Sequence, residues 1–139
     1  MLPSVDHFYS YTICFISLLT GKVLAAQAIA RIGINHPPSV AFPGQRMFEV
    51  VKPLIGLLDL ERKGLENFEA LLTLANIASE SEACRNRIFE EAGFMQIEHY
   101  MYEDHVKLRM AAVQCMLNLC LSERTVKVSA FQQNVIKIQ

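Results

Sequence analysis

The densest group of metal-capable and proton-transferring side chains is Glu98, His99, Glu103 and His105, within eight residues. His99 and Glu103 stand at i and i+4, so a helix places them on one face. With His105 they contain the donor types of a zinc site. However, His105 falls past the expected end of that helix and has no fixed geometry toward the other two. Solvated charges on a short amphipathic helix are the expected role. The four cysteines, Cys14, Cys84, Cys115 and Cys120, include no CxxC pair. Cys115 and Cys120 are five residues apart, about 140° around a helix, and cannot face one metal. The sequence has no GxxxxGK[ST], GxGxxG, GxSxG or HExxH motif, so no phosphate cradle, nucleophile elbow or zincin helix is encoded. The expectation is a protein that is not an enzyme and uses no cofactor or metal.

Composition narrows the function classes further. The chain has 139 residues, 52% of them apolar and 19% charged, and a net charge of −1. That supports a packed core. It lacks the cationic surplus needed for general nucleic-acid binding. The longest apolar run, Phe8–Leu19, has 12 residues, against about 20 for a membrane span. No Lys or Arg precedes it and no clear cleavage site follows, so it reads as a buried helix or a segment outside the fold rather than a signal peptide. Scattered cysteines point to a reducing, cytoplasmic setting.

The elements that position these residues repeat. Windows Leu24–Ile34, Glu66–Asn76 and Leu108–Asn118 superpose at a step of 42, aligning Ala28, Ala70 and Ala112, then Ile29, Leu71 and Val113, then Ile32, Leu74 and Met116. Asn76 matches Asn118, where the first copy has Ile34. A step of 42 lies within the range of HEAT and armadillo units. In Glu66–Glu80, Phe68, Leu71, Leu72, Ala75 and Ala78 recur at helical spacing, and Leu74 and Ile77 widen the face. Such a helix is buried on several sides. The remaining polar strip is Glu66, Glu69, Thr73, Asn76 and Glu80.

Punctuation falls between these helices. Asn35-His36-Pro37-Pro38 and Phe42-Pro43-Gly44-Gln45 break the chain. A short helix is expected over Pro53–Asp59, with Pro53 in its first turn. Ser79 and Glu82 have capping-box spacing before a helix over Glu82–Glu91, Gly93 suits a left-handed helix end, Phe94–Tyr102 is helical, and Asp104 caps the next helix. The predicted fold is all-α, an armadillo-like right-handed superhelix of about two and a half repeats, with no sheet over 22–122. Residues 1–21 form a divergent apolar segment and residues 123–139 a divergent tail that alternates like a strand. The chain is expected to be a slice of a longer array.

Segment Ala41–Cys120 resembles the UCS domain of the UNC/Cro/She-type myosin chaperones. The likeness rests on Ala41-Phe42-Pro43-Gly44-Gln45-Arg46-Met47-Phe48-Glu49-Val50-Val51-Lys52-Pro53-Leu54 and on Asn67-Phe68-Glu69-Ala70-Leu71 with Leu74 and Asn76. Ile97-Glu98-His99-Tyr100-Met101 follows, with Glu103 and His105, then Leu108-Arg109, Ala111-Ala112, Cys115-Met116 and Asn118-Leu119. Ala25-Ala26-Gln27-Ala28 extends it upstream. The resemblance covers roughly residues 22–122. It implies an armadillo superhelix that engages the myosin motor domain and helps it fold or stay folded. Animal members also carry a tetratricopeptide domain that docks heat-shock protein 90. That domain is not in this sequence, so this partner is expected only indirectly. A general armadillo scaffold and an inactive fragment of a longer chaperone are the competing readings.

The superposed helices define the candidate client groove. One row is Gln27, Glu69 and Ala111; the next Arg31, Thr73 and Cys115; the third Ile34, Asn76 and Asn118. Stacked repeats turn such rows into a continuous concave surface. An Asn amide both donates and accepts, so an Asn ladder suits an extended client backbone. The plainer alternative is that Asn76 and Asn118 satisfy neighbouring backbone groups. Phe42, Gln45 and Arg46 form a second candidate, a contact loop in which Arg46 is suited to pair with a carboxylate. Its alternative is a rigid turn between repeats with Phe42 buried.

Overall fold

The computed structural model describes residues 5–59, 61, 64–123 and 127, with side chains from Leu18 onward. Three long helices stand side by side: α1 (Val5–Asn35), α5 (Gly64–Glu80) and α8 (Val106–Leu119). Short helices link them: α2 (Pro38–Ala41), α3 (Arg46–Glu49) and α4 (Val51–Ile55) before α5, then α6 (Glu82–Glu90) and α7 (Gly93–Tyr100) before α8. Among the described residues there is no strand. The architecture is the expected all-α, armadillo-like stack.

The central helix explains the stack. α5 packs chiefly on α8 and on α1. Ala70, Leu71, Leu74, Ala75, Ile77 and Ala78 are all buried. A helix covered on two sides needs small residues where neighbours come close, and Ala70, Ala75 and Ala78 supply them. In α8 the equivalents Ala112 and Leu119 are also buried. In α1 the matching Ala28 is exposed; among the described residues the long helix packed on α1 is α5.

Local punctuation departs from expectation in four places. The short helix before α5 begins at Val51 and ends at Ile55, so Pro53 still sits in the first turn, where its missing N–H costs nothing. The cap of α6 is Ser81, in extended conformation, whose hydroxyl accepts from the Cys84 N–H at 3.2 Å. Ser79 lies inside α5 and donates to the Asn76 carbonyl. The left-handed residue after α6 is Ala92 (φ 59°), not Gly93. Gly93 instead opens α7 at a close approach: a Cβ there would lie 2.7 Å from Ile55 Cδ1 and 2.9 Å from the Ile88 carbonyl oxygen. Finally, α8 starts after His105 with no side-chain cap. The Arg109 guanidinium occupies that end, donating to the Glu103 carbonyl at 2.7 Å.

The ends bear on the expected segment boundaries. α1 is one continuous helix of 31 residues and passes through residues 21 and 22 without a break. In the 123–139 segment, Glu123 and Lys127 are helical; the rest of its expected alternation lies outside the described residues.

Gly93→Ala is expected to destabilise the chain by about 1–3 kcal/mol, the usual cost of overpacking a filled site. Thermal unfolding followed by circular dichroism measures it.

Candidate functional site

The polar strip of the long helices is tied to main-chain carbonyls of the preceding long helix. Thr73 Oγ1 donates to the Ala30 carbonyl at 2.7 Å. Asn76 Nδ2 donates to the Gly33 carbonyl at 3.0 Å. Asn118 Nδ2 donates to the Ala75 carbonyl at 2.9 Å. Each bond spans 43 residues, one repeat plus one position. The two Asn bonds are therefore one interaction made twice, at α1·α5 and at α5·α8. The Ala75 carbonyl, inside α5, already accepts one N–H and has a second lone pair to offer, whereas the Gly33 carbonyl lies in the last turn of α1, where Pro37 has no N–H to give it. Asn118 uses that second lone pair without breaking the helix, and Asn76 satisfies an otherwise open terminal carbonyl.

Gly33 makes the first of these contacts possible. A Cβ at Gly33 would collide with Thr73 Cγ2 and would lie 3.0 Å from Phe42 Cε2. Phe42, 5% exposed, closes over this junction from the loop after α2. It is a packing residue of the turn, while Gln45 and Arg46 beside it are exposed.

Beside the Asn row lies a charged pair. Arg31 Nε approaches both carboxylate oxygens of Glu69, at 3.3 and 3.2 Å. Arg31 is largely exposed and Glu69 mostly covered. At the surface such a pair contributes at most about 1 kcal/mol; its value is to fix where a carboxylate and a guanidinium stand on the face. Gln27, one turn earlier on α1, is half-buried. Thr73 and Cys115 are fully buried between helices, so those two positions are stacking surface, while Arg31 of the same row is exposed. Asn76 and Asn118 are half-buried. Their donors are pinned inward, and among the described residues no donor pairs with either Oδ1.

The groups weighed for catalysis are dispersed. Glu98 and His99 lie on α7, Glu103 follows it, and His105 precedes α8. No three His, Cys, Asp or Glu side chains converge among the described residues. Cys84 and Cys115 are buried and Cys120 is exposed, all as free thiols. Burial pushes the Cys115 thiol up to about 12 and keeps it protonated. No described helix is long and apolar enough to cross a membrane.

Met101, Met110, Val113 and Leu117 line an open cleft of about 570 Å³ beside Asn118 and Arg109. Its signal in the sequence is that α8 is apolar on both sides, with Met110, Val113 and Leu117 opposite the buried stripe. Leu117 is one repeat on from Ala75, which accepts the Asn118 bond. The cleft is therefore the stacking side of α8.

No family model matches the chain. It is 48% identical over 103 residues to the mouse protein unc-45 homolog B and 50% identical over 101 residues to the human one. These alignments take in 74% and 73% of this chain and 11% of each relative. The chain thus spans about a tenth of the length of those relatives. Among solved structures it is similar to UNC-45 from Drosophila melanogaster, with a TM-score of 0.76 and 49% identity over 78% of this chain and 14% of that one. A second neighbour is an UNC-45 chaperone structure described for features critical to binding and folding muscle myosin, with a TM-score of 0.72 and 44% identity over 76% of this chain and 12% of that one.

Two measurements test this face and its support. Asn76→Asp turns the inward donor into an acceptor facing the Gly33 carbonyl, and should cost about 1–3 kcal/mol in denaturant unfolding. Tyr100 is buried with no partner for its hydroxyl among the described residues. Burial first, then the charges of Asp59 and Glu103, push its pKa up to about 12 from 10. Its folded pKa is raised, so the stability it carries is complete below pH 10 and is lost as pH rises toward 12. Tyr100→Phe should leave the pH 7 melting temperature unchanged or higher and flatten the loss above pH 10, which melting curves across pH reveal.

Proposed function

Taking as premise that this chain is homologous to the UNC-45 family of UCS-domain myosin chaperones, we propose that it holds the myosin motor domain, non-native or nascent, without nucleotide chemistry. The observation that carries the reading is the repeated Asn geometry. Each amide is oriented by its inward bond, so its Oδ1 faces away from the carbonyl that accepts Nδ2. Two acceptors one repeat apart suit the N–H groups of an extended segment, independent of client sequence. Gln27 and the Arg31–Glu69 pair extend the same face with further polar groups. Orientation fixed in advance lowers the entropic cost of each client bond.

Thr73 has a supporting part in this reading. It holds α5 on α1 and touches no client. Gln45 and Arg46 form an exposed edge suited to a client carboxylate. Heat-shock protein 90 enters only indirectly, through the architecture of longer family members, and the setting is cytoplasmic.

The test is heat-induced light scattering of a myosin motor domain, with and without this chain, beside an unrelated client. Selective suppression for myosin is expected. The double variant Asn76→Ala with Asn118→Ala should lose most of it while remaining helical by circular dichroism. Thr73→Val removes a bond of similar strength from the buried row and should retain suppression. Equal loss in both variants would assign the effect to stability instead. Equal suppression of both clients would point to general adhesion through exposed apolar surface, as in a general scaffold, and full activity of the Asn double variant would remove the ladder from the mechanism.

A further inference from the structure

A row of identical acceptors holds an extended segment without fixing its register. Asn76 and Asn118 present the same group one repeat apart, so a segment shifted by one repeat makes the same bonds. The charged pair beside Asn76 breaks that equivalence. Arg31 and Glu69 fall one step of 42 later on Thr73 and Ala111, which are uncharged and buried. The pair marks the α1·α5 junction and has no counterpart at α5·α8.

The Arg31 guanidinium is committed on one edge. Its Nε approaches both oxygens of Glu69, and neither Nη1 nor Nη2 makes a hydrogen bond among the described residues. Those two nitrogens form the fork that takes a carboxylate through paired N–H bonds. Glu69 is the covered partner, with 14% of its side chain exposed, and holds the guanidinium in place. Glu66, half-buried, and Glu80, exposed, are the carboxylates at the ends of the α5 strip. Neither bonds Arg31 among the described residues. They repel a client carboxylate from the ends of the strip and leave Arg31 as the place that accepts one.

The spacing suits a side chain reaching from the Asn row. Glu69 and Asn76 are seven residues apart on one face of α5, two turns or about 10 Å. A client whose N–H groups point down at the Asn acceptors directs its side chains along the helix axes, alternately toward either end. Every second side chain therefore runs toward the pair. Resting on the client role of the Asn row, we propose that Arg31, aimed by Glu69, is a specificity-determining residue that pairs with an Asp or Glu side chain of the extended client and so sets the client's register.

Fluorescence anisotropy on the intact chain tests this with three short, capped probe peptides of Ser, Thr and Val, identical except for Glu, Gln or Lys at the centre. The Glu peptide is expected to bind about fivefold tighter than the Gln peptide, the size of an exposed ion pair, and the Lys peptide no tighter. Arg31→Gln should erase that preference and leave the affinity for the Gln peptide unchanged, with helicity retained by circular dichroism. Asn76→Ala with Asn118→Ala should instead weaken all three peptides alike. Equal binding of the Glu and Gln peptides, still dependent on the two Asn residues, would overturn the role of Arg31 and leave the Asn row in place. So would a Glu preference that survives Arg31→Gln, or one lost in Lys107→Gln, which removes an exposed cation from α8. Failure of all three peptides to bind, or binding untouched by the Asn double variant, would overturn the row itself and with it the register.

Discussion

A side-chain amide donating to a main-chain carbonyl one repeat away is the interaction on which this structure turns. It fixes the rotation and the rise of one long helix against the next at once, because the acceptor is a single backbone atom. Apolar packing alone tolerates small slips, since neighbouring methyl groups exchange contacts at little cost. A hydrogen bond at a buried or half-buried junction does not, because an unmade one leaves a donor cut off from much of its water. Asn76, Asn118 and Thr73 thus hold the register within which Ala70, Ala75 and Ala112 permit close approach.

That constraint governs what the polar face is able to offer. A free Asn side chain presents a donor and an acceptor interchangeably. Once its donor is committed, the face becomes a row of acceptors at a spacing set by the repeat. Arg31 and Glu69 add a fixed charge pair beside that row. The stacking rows, containing Thr73 and Cys115, are consumed in holding the helices together. The row of open amide acceptors and the buried stacking row stand three residues apart along α5 and α8.

Most of the fold was legible because it is periodic. The step of 42 and the apolar faces of Leu71, Leu74 and Ala78 require long buried helices whatever the details of their ends. Capping was less legible, because several residues near each end had the right chemistry: Ser79 and Ser81 both suit a cap, and only the length of α5 decides between them. Gly93 carried the signal for a left-handed residue, yet the tertiary approach of Ile55 and Ile88 claimed it and left the left-handed conformation to Ala92. The candidate site was legible as residue types in rows. The direction of each amide was not, since spacing cannot say which end of an Asn side chain meets the neighbouring carbonyl.

The constant separation of 43 residues also bears on how such a chain folds. Loop-closure entropy grows with the length of chain enclosed, and here every junction encloses the same length. Adding units leaves each closure unchanged and only adds more of them. Assembly then spreads from any formed pair of helices to the next, as a chain of equal local steps. The size of the array alters how many steps are taken, and the hardest single step stays the same.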